Sequence, residues 1–130
     1  GIGIVGQILV ETHGQHSGSL NIKEKALFPY VNAIRLLAIK ENIFETPTLS
    51  RLEKLPEFGL PSIKRELYTQ QFLKLLNLRL SLAKPDNYEN SHYIPIAPLS
   101  KKQKEEVKEI LKNGAALYRY VTNLIDKEDI

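Results

Sequence analysis

The chain has 130 residues and a mass of 14.8 kDa, 42% hydrophobic and 25% charged, which suits one globular domain with a single core. Its 18 basic residues exceed its 15 acidic ones by a net +3, with a pI near 9.1, too slight an excess to argue for nucleic acid by itself. There is no cysteine, which excludes disulfides, thiolate zinc sites and a cysteine nucleophile.

No run approaches the roughly 20 apolar residues of a membrane helix, and no basic leader precedes an apolar stretch. A cytoplasmic chain with no membrane partner is expected. It begins at Gly1 without an initiator Met and reads as part of something longer.

Residues 1–12, GIGIVGQILVET, combine glycines with β-branched Ile2, Ile4, Val5, Ile8 and Val10, which predicts an extended strand. A lone strand is not stable, so it must pair, with a second copy of the chain as one candidate partner. His13 to Ser19 reads as a polar loop. From there the pattern is helical. Asn21 with Glu24 forms a capping pair, and Leu27, Tyr30, Val31, Ile34, Leu37 and Ala38 recur at helical spacing. Pro29 must lie in the first turn, which places a helix from about Phe28 to Asn42. Thr46-Pro47 predicts a cap and start for a short helix over about 47–56. Pro61-Ser62 starts a longer helix that ends before Pro85. Its second half is apolar on nearly all sides, which predicts the central, most buried helix. The alternation of Leu76, Leu78, Leu80 and Leu82 makes a strand the rival, but length and scarce β-branching favour helix.

Residues 85–98, PDNYENSHYIPIAP, form a long loop, and long loops are often functional. Ser100 with Gln103 is another capping box. Val107, Ile110, Leu111, Leu117, Tyr118, Val121, Leu124 and Ile125 then trace one stripe of a last helix. Lys101, Lys102, Lys104, Lys108 and Lys112, among Glu105, Glu106 and Glu109, form a solvated face. Gly114 weakens this helix and predicts close packing against a neighbour. The expected fold is all-α: a helical bundle of about four main helices with a strand-like N-terminal arm.

Several motifs fail on context. Gly1 to Gly6 matches G-x-G-x-x-G, but no strand precedes it and no helix follows. His13 and His16 are spaced H-x-x-H, yet His92 is the only other imidazole and lies far away in the sequence. There is no G-x-S-x-G elbow. Gly18-Ser19 resembles the Gly-Ser of nucleotidyltransferases, but Asp86, Asp126 and Asp129 are the only aspartates, and none forms the D-x-D pair that two-metal phosphoryl transfer needs. The chain is therefore expected to have no catalytic residue, no metal site and no nucleotidyl-transfer activity alone.

Arg35 and Arg79 interrupt apolar stretches, and Arg51 sits in the short helix. Arginines in such places need a carboxylate partner or an anionic ligand. Glu53, Glu66 or Asp86 would serve as structural partners. The alternative is a cleft where the arginines meet the Asp86-Asn87-Tyr88 turn. Arg35, Arg51, Arg79, Asp86, Asn87 and Tyr88 are accordingly the candidate substrate-binding residues.

A family resemblance rests on a series of segments. They are Gly18-Ser19-Leu20-Asn21-Ile22-Lys23, Ala26-Leu27 with Pro29, and Ala33-Ile34-Arg35-Leu36-Leu37-Ala38. Thr46-Pro47-Thr48-Leu49-Ser50-Arg51-Leu52, Leu75-Leu76-Asn77-Leu78-Arg79-Leu80, Pro85-Asp86-Asn87-Tyr88 and Leu99-Ser100 follow in order. Together, over roughly residues 13–125, they resemble the putative nucleotidyltransferase substrate-binding domain. Two departures stand out: Ser81-Leu82-Ala83 replaces an Arg-His-Gln continuation, and Asn42 stands where a glycine often ends the first helix.

The resemblance implies a C-terminal helical domain of a bacterial signalling protein. Its neighbours would be a cyclic-nucleotide-binding-like domain, paired CBS domains and an upstream nucleotidyltransferase domain. Nucleoside triphosphate and magnesium would bind only in that upstream domain, with no cofactor in this chain. Residues 1–12 would be a linker or last strand from the catalytic half, and 13–130 the substrate-binding domain. It would present an acceptor to the upstream domain. The alternative is a non-catalytic protein-interaction or dimerisation module. Nucleic acid is the least favoured partner, because basic residues alternate with acids instead of forming a stripe.

Overall fold

The computed structural model of the chain describes residues 2–5, 8–82 and 90–128. The β-branched start pairs with itself. Strand β1 (Ile2–Val5) lies antiparallel to β2 (Ile8–Glu11), with Ile2 opposite Glu11 and Val5 opposite Ile8. The strand expected to need an outside partner thus closes locally into a hairpin. It also settles the G-x-G-x-x-G match, because a second strand follows β1 where a phosphate-binding fingerprint needs a helix. Period-two alternation sends Ile8 and Val10 into the core and Leu9 outward.

A second ribbon pairs β3 (Ser19–Asn21) with β4 (Tyr93–Pro95), with Leu20 opposite Ile94. The all-α expectation therefore holds for the helical bulk of the fold and is corrected by two small antiparallel sheets. Strand β4 falls in the expected loop and β3 at the expected junction of loop and helix cap, because three-residue strands are too short to leave a readable alternation. Gly18 links the two ribbons: its N–H donates to the Glu11 carbonyl at 2.7 Å, and its own carbonyl accepts from the Ile96 N–H at 3.2 Å. Its φ of 80° is one that a side chain would strain.

Helix α1 (Phe28–Lys40) is preceded by a π-helical turn over Lys23–Leu27. Pro29 has no N–H to bond the Lys25 carbonyl and its ring would crowd that group, so a wider turn suits this entry. The expected Asn21–Glu24 pair forms in both directions, at 3.1 and 3.2 Å. The helix ends in a Schellman motif. Asn42 takes φ 57°, the Ile43 N–H donates to Ala38 O at 2.8 Å, and the Asn42 N–H donates to Ile39 O at 3.2 Å.

Helix α2 (Thr48–Lys54) starts one residue later than the sequence implies. Pro47 occupies the N-cap and Thr46 does not. In α3 (Ser62–Leu82) the leucine run is helical, so the strand alternative falls. Glu57 accepts from the Ser62 N–H at 2.8 Å and closes the N-terminus. The expectation that α3 is the central helix is corrected: Leu73 and Leu80 are 43% and 83% exposed, so its leucines serve more than one side. Helix α4 (Lys101–Glu128) opens on the expected reciprocal box between Ser100 and Gln103, at 2.9 and 3.1 Å. Val107, Ile110, Leu117 and Val121 are buried along it, whereas Tyr118 points outward.

The helices meet around Tyr30. Its ring is buried between α1 and α4, and its hydroxyl donates to Ile110 O at 2.7 Å. Helices α1 and α4 run the same way. The start of α1 meets Ile110, and the loop after α1 meets Gly59, whose carbonyl accepts from the Tyr120 hydroxyl at 3.3 Å. Helix α3 runs back between the same two ends. Its Leu75 and Leu78 pack with Val107 and Ile110, and Lys64 sits 5.2 Å above the Tyr120 ring.

Gly114 is where α4 touches Tyr30, as its place in a helix led one to expect. A Cβ there would stand 2.7 Å from Tyr30 Cε2 and 3.1 Å from Cδ2. The ring is buried and tethered through its hydroxyl, so it has little room to give. Gly114→Ala should gain about 1 kcal/mol of helix propensity but lose about 1–3 kcal/mol to overpacking. A net fall in the denaturation midpoint is expected in urea melts.

Burial, with Tyr68 and Glu109 nearby, pushes the Tyr30 phenol well above its ordinary value of 10.0. A raised acid favours the protonated folded state. Its contribution is whole below pH 10 and is lost as the unfolded phenol ionises above that value. Stability should therefore fall more steeply above pH 10 in the native chain than in Tyr30→Phe, measured by denaturant melts across that range.

Candidate functional site

The sequence-marked arginines are distributed over the fold. Arg35 is exposed on α1, on the side away from Ile34, Leu37 and Ala38. Arg51 is half-buried on α2 and donates through Nε to Glu45 O at 2.8 Å. Arg79, half-buried in the last turn of α3, donates through Nε to Ser91 O at 3.4 Å. Asp86, Asn87 and Tyr88 lie outside the described residues.

A groove of about 550 Å³ between α2 and α3 is lined by Leu49 and Glu53 on one wall and by Arg65, Thr69 and Leu73 on the other. Helix α2 therefore lies along the first half of α3. Arg79 sits about 9 Å further along the helix than Leu73, at about 1.5 Å per residue. Arg51 is turned away from this groove, about 200° around α2 from both Leu49 and Glu53. Among the described residues no hydrogen bond or ion pair joins the three arginines. Arg79 does reach the long loop, and it holds that loop through a backbone carbonyl.

The histidines also have local partners. His13 Nδ1 is 2.9 Å from the Thr12 hydroxyl, and the His16 ring stacks on Tyr93 with centroids 3.7 Å apart and planes 5° from parallel. Among the described residues no three His, Asp or Glu side chains gather where a metal ion would need them. Nor is any described helix long and apolar enough to cross a membrane.

A different site lies at the ribbon end of the bundle. Leu9 of β2, Leu20 of β3, Lys25 of the π turn, and Lys108, Leu111 and Lys112 of α4 line a groove of about 470 Å³. That volume is within the range of small-molecule sites. Strand alternation brings Leu9 here by the same pleat that buries Ile8 and Val10. On α4, residues 108, 111 and 112 share a face because they are three and four positions apart. The wider turn before α1 carries Lys25 to the opposite wall. Leu20 is 1% exposed and forms the floor.

The lining is leucine and lysine, with no carboxylate among these side chains. Lys108 Nζ donates to Glu105 Oε1 at 2.9 Å on the rim. Sequence reading assigns Lys108 and Lys112 to a solvated face and gives Lys25 no role. The readable signal was Leu111, an apolar residue set among them.

The Lys108 hydrogen bond and charge, helped by Lys101, hold the Glu105 carboxyl below its ordinary value of 4.5. A lowered acid contributes above the ordinary carboxylate range and loses that contribution as pH falls through its folded pKa. Lys108→Ala should return Glu105 toward 4.5 in an NMR titration of the carboxyl carbons, with little change in fold.

No curated protein and no solved structure gives a significant match to the chain. A family model does, over residues 1–124, so it takes in the N-terminal hairpin as well as all but the end of α4. Ile8 and Val10 belong to the same buried core as the helices, which agrees with a match beginning at the first strand. The chain belongs to the family described as putative nucleotidyltransferase substrate binding domain.

Proposed function

We propose that this chain is the acceptor-binding unit of a nucleotidyltransferase whose catalytic domain lies upstream in the full-length protein. The carrying observation is the family match over the whole architecture, ribbons and helices together. The side chains agree with a binding role. The chain offers grooves of small-molecule size, while its aspartates form no D-x-D pair for the metal ions of phosphoryl transfer. Here the domain holds the acceptor, and the upstream domain holds nucleoside triphosphate and magnesium. Rate is then gained by placing the acceptor near the nucleotide, a contribution that positioning alone makes large.

One observation favours a second role, as an interaction module. Phe44, Phe58 and Ile63 are 90%, 81% and 84% exposed. They lie in or beside the two loops that meet where Gly59 abuts Glu41. This is the end of the bundle opposite the lysine groove, and such exposed apolar groups suit contact with another domain or copy.

The two roles separate in the intact protein. Labelled nucleotide transfer to its acceptor is compared with and without residues 1–124. Under the first reading, deletion leaves nucleotide binding unchanged and lowers acceptor labelling about 100-fold or more. The isolated chain transfers nothing. Unchanged labelling together with an altered oligomeric state overturns the first reading in favour of the second.

A further inference from the structure

We infer that the groove between β2, β3, the π turn and α4 binds an organic anion: an apolar body carrying a phosphate or carboxylate. This names the ligand class of the acceptor-binding unit and rests on that reading. The argument is one of complementarity. Leu9, Leu20 and Leu111 offer an apolar surface, and Lys25, Lys108 and Lys112 stand around it. A purely apolar ligand would leave the Lys25 and Lys112 ammonium groups beside it without a counter-charge, Lys108 alone being met by Glu105. A small inorganic anion would leave the leucines wet. A ligand with both parts satisfies both, and no carboxylate stands among the described lining residues.

The apolar surface also extends beyond the groove. Leu9 is 47% exposed and pairs across the hairpin with Ile4, which is 70% exposed. The hairpin thus supplies a continuous apolar strip leading into the cationic site, which suits a ligand longer than its charged head. Lys108 is shared with Glu105 at 2.9 Å, so an incoming anion competes for that ammonium or bridges to its free hydrogens. Lys25 and Lys112 make no hydrogen bond or ion pair with a described residue. These two are expected to supply most of the head-group contact.

The rival location is the groove between α2 and α3. There Arg65 has a buried Nε without a hydrogen-bond partner, and its Nη2 lies 3.9 Å from Glu57. But Glu53 and Glu66 line that groove too, so its field is mixed.

The test uses the 130-residue chain with octyl phosphate, octanoate and, as a cationic control, octyltrimethylammonium. Leucine methyl shifts report the location. Saturable shifts at Leu9, Leu20 and Leu111 with the anions, and none with the cation, are expected. Lys25→Gln with Lys112→Gln should weaken binding about tenfold, as two partly exposed charged contacts would. The single exposed variant Lys112→Glu should weaken it in the same direction. The tighter of the two anions tells a phosphate ligand from a carboxylate one. Shifts confined to Leu49 and Leu73, or affinity unchanged in both lysine variants, overturn the proposal.

Acceptor labelling by the intact protein keeps the two proposals apart. If deletion of the domain abolishes labelling but the double lysine variant labels normally, the groove is not the acceptor's seat and the acceptor-binding role stands. If the groove binds anions as described but deletion leaves labelling unchanged, the acceptor-binding role fails and the groove serves another ligand.

Discussion

The contact on which the architecture depends is Tyr30 against α4. Its hydroxyl donates to Ile110 O and its ring covers Gly114, so one side chain fixes both the height and the rotation of α1 on α4. A phenol inside a core is stabilising only when its hydroxyl is satisfied. The absence of a side chain at residue 114 allows the ring in, and the carbonyl one turn earlier satisfies the hydroxyl. Phe72 of α3 meets the same ring, tilted, at 6.0 Å between centroids, which brings α3 onto the same centre. With that crossing set, the first turns of α4 are held beside the ribbons and its later turns beside the loop at Gly59.

Sequence legibility follows the range of the forces involved. Helix ends were readable because their causes are local. Ser100 and Gln103 cap one another within a turn, Asn42 adopts the left-handed stop, and Pro29 lies in the first turn of α1, although the π turn ahead of it was not readable. Gly114 was readable as a close approach, though its partner eighty-four positions earlier in the chain was not. The pairing of β3 with β4 brings residue 20 against residue 94, and nothing in two three-residue segments announces it. Uniform leucine in α3 was misleading for a related reason. Composition measures apolarity, whereas burial depends on which neighbours arrive, and Leu80 receives few.

The candidate site was less legible than the fold. Arginines in apolar stretches attract attention because burying a guanidinium without a partner is costly. Here the backbone supplies partners: Glu45 O for Arg51 and Ser91 O for Arg79, while Arg35 is solvated. Such carbonyls are invisible to a search for carboxylates, since every residue has one. The family resemblance, by contrast, was carried by the order of many modest segments and did not depend on any single side chain. That is why family membership was readable where individual site residues were not.

The lysines of α4 show how a solvated face becomes a site without any change in its residues. A charged helix face exposed to water is ordinarily only a solubilising surface, and its ion pairs are weak. Lys108 and Lys112 differ from Lys101 and Lys102 in what stands opposite them. The alternation of β2 turns Leu9 outward, β3 lays Leu20 across the bottom, and the turn forced ahead of Pro29 places Lys25 on the far wall. Each of those placements has its own local cause. Their coincidence is tertiary, set by the hydrogen bonds that tie β2 to β3 through Gly18 and by the Tyr30 crossing that holds α4 in place. A wall of low polarizability beside a charge also reduces its screening by water. The same ammonium groups therefore act on an anion in the groove more strongly than they would from an open helix.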